Sequence, residues 1–240
     1  MPFRKVTYNA RFRRAAVYGE PRCNFRCRGC SYGVKPPEGE GGLPLRRVME
    51  VLSELSAERP LERVHFLGGE PTLNPDLGEL ARFVHEELGL STKIGHSNGS
   101  RMPPPYIDAV SVSIKAVDDK LHLDYTGVSN AAVLANFRGM YARGIALDAS
   151  TVFIPDYVDF AEIERIARFI ASVDPDIPFH ITGYVPVPGA PWRGPTKEEV
   201  EEAAAIARRY LAHVTSSCLS AEDLRRLPER DVRYRSVRVA

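Results

Sequence analysis

The sequence has few lysines, one tryptophan and no long apolar run. Only six of its 32 basic residues are lysine, and the formal net charge is +1. Such a nearly neutral chain has no general attraction to nucleic acid or to an anionic membrane, so neither partner is expected. No apolar stretch approaches the roughly 18 residues of a membrane span, and the first residues lack the apolar core of a signal peptide. We therefore expect a cytoplasmic protein.

Cysteine is also scarce, and the four cysteines are unevenly placed. Cys23, Cys27 and Cys30 lie together in the segment CNFRCRGC, whereas Cys218 is far away along the chain. In a reducing compartment such clustering indicates metal binding or catalysis and not disulfides. A structural zinc site and an iron–sulfur electron carrier both need four protein ligands. Three close thiolates suit a [4Fe-4S] cluster in which one iron is open to a non-protein ligand.

A second motif, FLGGEPTLNP at residues 66–75, ends a predicted strand. The two motifs together resemble the radical S-adenosylmethionine (SAM) superfamily. The resemblance implies that Cys23, Cys27 and Cys30 hold a [4Fe-4S] cluster, and that Glu70 accepts a hydrogen bond from the α-ammonium group of SAM. The cofactor-binding residues that it implies are Gly68, Gly69, Glu70, Pro71, Ser97, Asn98, Ser113, Lys115, Ser150 and His180.

The resemblance also implies a reaction and its partners. One electron passes through the cluster to SAM, and cleavage gives a 5′-deoxyadenosyl radical that abstracts a hydrogen atom from the substrate. The electron donor is expected to be a flavodoxin or a ferredoxin. Eight basic residues occur among the first 28, which suggests either a solvated basic end or a surface that docks this acidic donor.

Within the superfamily, three further stretches resemble the glycyl-radical-enzyme activases. They are SNG at 97–99, SIKAVDDKLHLDYTGVSN at 113–130 and TVFIPDYVDF at 151–160. The resemblance implies a glycyl-radical enzyme as substrate. A radical SAM enzyme that acts on a small molecule or peptide is the alternative, and a non-catalytic zinc or iron–sulfur module is a third hypothesis.

Three positions depart from the activase pattern. Ser113 stands where these enzymes carry the aspartate of a D-x-K motif, so only Lys115 is left to pair with the SAM carboxylate. Ser150 aligns with an arginine, and Gly29 occupies the position before the third cysteine, which is usually aromatic and shields the cluster. Nearby, His180 either orients SAM or substrate or is a hydrogen-bonded structural residue.

Strand and helix patterns alternate along the chain. Six strands are predicted, at residues 13–19, 62–69, 92–99, 108–114, 145–154 and 178–184. Helices lie between most of them. Asp76 with Glu79 is expected to form a capping box, and Asp159 and Thr196 are expected to cap two further helices.

In VSVSIK, residues 110–115, apolar side chains share one face of a strand and polar side chains share the other. A parallel strand buried on both faces would be apolar throughout. We therefore predict an α/β fold, a partial (β/α)6 TIM-like barrel with a polar lumen and its site at the carboxyl ends of the strands. Residues 1–213 are expected to form the radical SAM core, with the Cys loop at 20–31, and residues 214–240 a C-terminal tail that packs on the barrel.

Overall fold

The structure, a computed structural model, describes residues 2–33, 42–220, 222–223, 226 and 236–240. Within these residues the chain forms nine strands. They are β1 (Lys5–Asn9), β2 (Arg14–Tyr18), β3 (Arg63–Leu67), β4 (Ser91–Ser97), β5 (Ala109–Ser113), β6 (Ala146–Phe153), β7 (Phe179–Gly183), β8 (Val214–Ser217) and β9 (Val237–Arg238).

The same residues form six α-helices, most of which connect successive parallel strands. They are α1 (Leu45–Glu58), α2 (Leu77–Glu86), α3 (Asp119–Thr126), α4 (Ala131–Ala142), α5 (Phe160–Ala171) and α6 (Lys197–Ala207).

All of these strands belong to one sheet in the order β8-β7-β6-β5-β4-β3-β2-β1-β9. Neighbours from β2 to β8 are parallel, whereas β1 is antiparallel to both β2 and β9. Parallel strands in chain order, joined by helices, form an open, partial TIM-like barrel. The predicted fold class is confirmed, and the carboxyl ends of β2 to β8 lie at one end of the sheet.

The two faces of the sheet differ in polarity. On the outer face Val64, Phe66 and Ile94 pack in one apolar core with helix residues such as Leu52 and Leu80. The alternate residues of the same strands form what we call the inner face, which points away from the helices. Its side chains are largely polar, and most keep part of their surface exposed. This is the polar lumen that the alternation in VSVSIK predicts.

Two of the three predicted helix starts use the predicted cap. Thr196 and Glu199 form the complete capping box of α6. Asp159 caps α5 by accepting from the backbone N–H groups of Ala161 and Glu162. The capping box at Asp76 is wrong, because Asp76 has helical backbone angles and forms no side-chain cap hydrogen bond. A capping side chain needs an extended backbone to reach the first turn.

The sequence pattern does not predict the short strands β1, β8 and β9 at the edges of the sheet. Within the predicted C-terminal tail, β8 pairs in parallel with β7, and β9 pairs with β1. Residues 221, 224–225 and 227–235 of the tail lie outside the described residues. The division into a core and a tail stays a prediction. Among the described helices, none has the length and apolarity to span a bilayer.

Candidate active site

The Cys loop follows the carboxyl end of β2 and lies against the last turn of α3. The backbone N–H of Arg26 donates to the carbonyl of Thr126 at 2.8 Å, and that of Arg28 donates to the carbonyl of Tyr125 at 3.0 Å. The last carbonyls of a helix have no partner within the helix, so they are available to such an external loop. The α3 terminus therefore fixes the path of the loop that carries the three thiols.

The three thiols lie near one another at the surface of this loop. Cys23 and Cys30 are exposed and Cys27 is partly buried, and all three are free. Burial raises the pKa of the Cys27 thiol, the Lys115 ammonium opposes that rise, and the nearby Cys30 and Cys23 thiols add to it. In the part of the chain that the structure describes, no three His, Cys, Asp or Glu side chains are arranged to hold a single metal ion.

This donor set fits a [4Fe-4S] cluster with an open iron. Three soft thiol ligands lie near one another on a single loop, and Cys218 lies elsewhere, with its sulfur 3.6 Å from the Pro195 carbonyl. Asn98 reaches the same loop, since its Nδ2 donates to Asn24 Oδ1 at 2.9 Å and lies 3.5 Å from Cys23 Sγ. Thiolates are the usual protein ligands of such clusters.

The GGEP turn follows β3 and packs directly against the start of the Cys loop. The Glu70 N–H donates to the Arg22 carbonyl at 2.8 Å, and the Gly69 N–H donates to the Glu20 carbonyl at 3.1 Å. A Cβ on Gly69 would lie 2.2 Å from the Arg22 carbonyl oxygen, which is too close for any side chain. Glycine is therefore required at position 69 so that the two loops can pack together. Pro71, the next residue but one, is buried at the start of a short 3-10 turn.

The Glu70 carboxylate joins the GGEP turn to the SNG turn that follows β4. It is 3% exposed. It accepts hydrogen bonds from Thr72 N and Oγ1 at 3.1 and 2.7 Å, from Ser97 Oγ at 3.1 Å and from Asn98 N at 2.6 Å. The structure thus brings Glu70, Ser97 and Asn98 together, and protein donors already surround the carboxylate. Its hydrogen bond to SAM stays a prediction.

Ser113, Ser150 and His180 lie side by side on the inner face, in register on β5, β6 and β7. The Lys115 ammonium, just beyond β5, donates to Ser113 Oγ at 2.7 Å. Lys115 therefore lies close to the Cys loop, where its charge acts on the Cys27 thiol. An ammonium at this point matches the expected partner of the SAM carboxylate.

His180 has both ring nitrogens engaged by β8. Its Nδ1 lies 2.7 Å from Thr215 Oγ1, and its Nε2 lies 2.9 Å from Ser217 Oγ. Burial lowers its pKa, so the ring is neutral near pH 7. These contacts support the structural alternative for His180, and its role as a SAM ligand stays a prediction.

Aromatic residues from distant parts of the chain surround Gly29. A Cβ on Gly29 would lie 2.9 Å from both the Tyr125 hydroxyl and the Tyr184 ring. Trp192 packs edge-on against both tyrosines, with ring centroids 5.8 and 5.9 Å away. Sequence patterns could not reveal this cluster, because α3, the end of β7 and the following loop each contribute one ring. These rings therefore place aromatic side chains beside the Cys loop at the position where the loop carries glycine and not an aromatic residue.

Arg28 links the Cys loop to Trp192 and Asp124 by side-chain contacts. Its guanidinium forms an ion pair with Asp124 at 2.6 Å and lies 4.9 Å from the Trp192 ring centroid. Tyr157 also donates to Asp124 in a very short hydrogen bond. Stacking on Trp192 and pairing with Asp124 together fix the orientation of this arginine.

The basic residues of the N-terminal segment do not form one surface. Arg11, Arg13 and Arg14 lie at the amino end of β2, whereas the Cys loop follows its carboxyl end. Arg13 forms an exposed ion pair with Glu62 at 2.8 Å. At the carboxyl end, Arg26 of the Cys loop is exposed. A donor-docking surface beside the cluster can therefore include Arg26, but not the three arginines at the other end.

His96 is a residue of the site region that strand alternation alone misses. The pairing of β4 with β5 shifts between Ile94 and Ser97, so His96 sits on an irregularity directly before the SNG turn. It is exposed inside the open barrel. The surrounding walls of the barrel displace part of its solvation, and this loss together with the Lys115 charge lowers the pKa of His96. Such irregularities often re-aim side chains at functional sites.

Comparison with known proteins supports the same region as the functional one. Residues 20–170 match the model of the radical SAM superfamily. A Methanocaldococcus jannaschii protein with the provisional name glycyl-radical enzyme activating enzyme is 31% identical over 203 residues, covering 81% of this chain and 77% of that protein.

Two solved structures share the fold. Streptococcus suis SuiB bound to SAM has a TM-score of 0.65 and 19% identity, over 85% of this chain and 49% of SuiB. The chain thus spans about half the length of SuiB, which has also been solved with its precursor peptide SuiA. A domain of pyruvate-formate lyase-activating enzyme from Bacteroides vulgatus has a TM-score of 0.51 and 21% identity, over 65% of this chain and 99% of that domain.

The family match covers more than half of the chain, and it includes the Cys loop and the GGEP and SNG turns. The cofactors of this family are a [4Fe-4S] cluster and SAM, which the thiols of the Cys loop and the neighbouring turns fit. The chain belongs to the radical SAM superfamily.

Proposed function

We propose that this radical SAM enzyme is an activase, which takes a hydrogen atom from a glycyl-radical enzyme. The observation that carries the proposal is the convergence of three loops at one end of the barrel. The Cys loop, the GGEP turn and the SNG turn follow β2, β3 and β4, and Glu70 and Asn98 join them by direct hydrogen bonds. Sites of TIM-like barrels lie at this end of the strands.

In this proposal each residue has one task. Cys23, Cys27 and Cys30 hold the cluster, and Lys115 pairs with the carboxylate of SAM. When bound, this group would supply the one-electron reduction that cleaves SAM into methionine and a 5′-deoxyadenosyl radical. Glu70 keeps the GGEP and SNG turns in fixed positions, so that their backbone groups are pre-organised for the ligand.

The activase assignment is supported by the Methanocaldococcus jannaschii relative. A second candidate is a radical SAM enzyme that acts on a peptide or small molecule. It is supported by Ser113 and Ser150, which replace the acidic and basic residues of the activase pattern, and by SuiB, which has been solved with a precursor peptide. The cytoplasmic location and the flavodoxin or ferredoxin donor are further parts of the proposal.

The proposal is tested with protein that is loaded with iron and sulfide under anaerobic conditions. Dithionite and SAM are added, and 5′-deoxyadenosine is measured with and without a glycyl-radical enzyme from the same organism. An activase produces 5′-deoxyadenosine and an organic radical on the partner protein, detected by electron paramagnetic resonance. Formation of 5′-deoxyadenosine without any radical on the partner would favour the second candidate.

A further inference from the structure

The charges on the inner face of the sheet are strongly unequal. Among the described strands and the residue after β5, the inner face carries a single carboxylate, Asp148. The basic residues at the alternating inner positions are Lys5, Arg14, Arg63, Lys93, Lys115 and Arg238. Lys115 is the proposed partner of the SAM carboxylate. The remaining positive charge has no equivalent explanation within the SAM site.

The excess is most concentrated at Arg14 and Arg63. These two residues are direct partners in the parallel pairing of β2 and β3, so their side chains leave the same face of adjacent strands. Like charges placed opposite each other destabilise a sheet. Neither guanidinium forms an ion pair with any carboxylate of the described residues. A bound anion would convert this repulsion into attraction.

His65 lies two residues further along β3 and points to the same interior. Its pKa is lowered to about 3 by burial and by the charges of Arg14, Lys93 and Arg63. Its Nε2 atom is buried and has no hydrogen-bond partner. A buried polar atom without a partner costs free energy, and its pairing with a ligand would remove that cost.

Lys93, the direct partner of His65 on β4, and Asp148 complete the lining beside His65. The Lys93 ammonium contacts Asp148 Oδ2 at 2.5 Å, and the two side chains are 25% and 35% exposed. Both therefore face an open interior and not packed protein. Because this pair is internally neutral, it does not compensate the charge of Arg14 and Arg63.

We propose that the barrel interior between Arg14, Arg63 and His65 binds an oxyanion group of the substrate, a phosphate or a carboxylate. Strands rise about 3.3 Å per residue, so this anion site lies about 13 Å below the carboxyl ends of β2 and β3. A substrate anchored there by its oxyanion extends up the lumen toward the SAM site. The inference rests on the proposed radical chemistry, and a substrate anchored in the lumen in this way fits the second candidate, a peptide or small molecule, better than it fits a glycyl-radical enzyme.

The test measures anion binding directly. Cluster-loaded, SAM-saturated protein is titrated calorimetrically at constant ionic strength with inorganic phosphate and, separately, with malonate. We expect one site per chain for at least one of the two probes, and the preferred probe identifies the oxyanion. Arg14→Gln/Arg63→Gln should weaken binding about tenfold or more, because charge-assisted hydrogen bonds are lost. Arg14→Lys/Arg63→Lys should retain part of the affinity.

The matched control is Arg143→Gln/Arg209→Gln, which removes the same charge from two exposed positions away from the barrel interior. It should bind like wild type. The anion site is ruled out if the two double glutamine variants lose anion affinity equally. It is also ruled out if wild type shows no saturable binding of either anion. Failure of wild type to cleave SAM is a separate outcome, which contradicts the proposed function whatever the titrations show. Circular dichroism of each variant identifies loss of folding.

Discussion

Gly29 and Tyr125 are in such close contact that no other residue fits at position 29 without a shift. A Cβ on Gly29 would lie 2.9 Å from the Tyr125 hydroxyl. Tyr125 is 2% exposed and cannot move freely away, because Tyr157 and Trp192 pack against its ring. The glycine that departs from the family pattern is therefore matched by an aromatic residue from α3.

The first prediction concerns this contact. Gly29→Ala should lower the free energy of unfolding by about 1–3 kcal/mol, the usual cost of overpacking, and should speed loss of cluster absorbance in air. Tyr125→Ala in the same chain should relieve much of the added cost, giving a coupling of about 0.5 kcal/mol or more in a double-mutant cycle.

Gly139→Ala is the control for Gly29→Ala. A Cβ at Gly139, within α4, would make only ordinary contacts with Met102, at 3.5 Å or more. That variant should be neutral or stabilising. If wild type and Gly29→Ala have the same free energy of unfolding in denaturant, the aromatic side chains leave room for a Cβ at position 29, and the prediction is wrong.

The second prediction concerns the cluster ligands. Cys23→Ala, Cys27→Ala and Cys30→Ala should each abolish the cluster absorbance and the cleavage of SAM. Cys218→Ala should leave both intact, since Cys218 lies beside Pro195, away from the loop. Iron analysis and visible spectra after reconstitution check this. If the single substitution Cys218→Ala abolishes the cluster absorbance, Cys218 is also a ligand and four cysteines hold the metal.

The third prediction separates the roles of Lys115 and Glu70. Lys115→Ala should weaken SAM binding about tenfold or more with little change in stability, because it removes one charge-assisted contact with the ligand. Glu70→Ala should also lower the free energy of unfolding by about 1–3 kcal/mol, since Thr72, Ser97 and Asn98 lose their acceptor.

SAM titrations and urea unfolding of the two variants measure these effects. Unchanged SAM affinity in both variants would argue against SAM binding between the GGEP turn and β5. If Glu70→Ala weakens SAM binding but leaves stability unchanged, the carboxylate serves the ligand and not the turns.

The fourth prediction concerns the electron donor. Arg26→Ser should slow SAM cleavage driven by reduced flavodoxin, and the wild-type rate should fall with added salt, because exposed charges are screened beyond about 8–10 Å. Arg11→Ser removes the same charge at the far end of β2 and should have no effect. Dithionite-driven rates should be equal in all three proteins. If both substitutions slow the flavodoxin-driven cleavage of SAM equally, Arg26 has no specific role in docking the donor.

The sequence predicts the six central strands because period-2 alternation and glycine turns are local signals. The strands β1, β8 and β9 escape prediction, since their formation depends on pairing with distant partners at the edges of the sheet. The capping box at Asp76 fails for a related reason. The residue pattern is present, but the backbone at Asp76 is already helical.

The site shows the same division between local and distant information. Motif spacing places the three cysteines and the GGEP turn correctly on loops at successive strand ends. Spacing carries no information on which groups surround a side chain, so neither the enclosure of Glu70 by Ser97 and Asn98 nor the rings beside Gly29 could be foreseen. The pairing of His180 with β8 is hidden for the same reason.

The central claim is that the three cysteines hold a [4Fe-4S] cluster whose open iron binds SAM. The most direct measurement is the electron paramagnetic resonance spectrum of the reconstituted, dithionite-reduced protein with and without SAM, with iron and 5′-deoxyadenosine quantified in the same samples. The account predicts four irons per chain, a cluster signal that changes when SAM is added, and 5′-deoxyadenosine formed at the expense of SAM. Bound zinc, or a signal that SAM leaves unchanged with no 5′-deoxyadenosine formed, would contradict it.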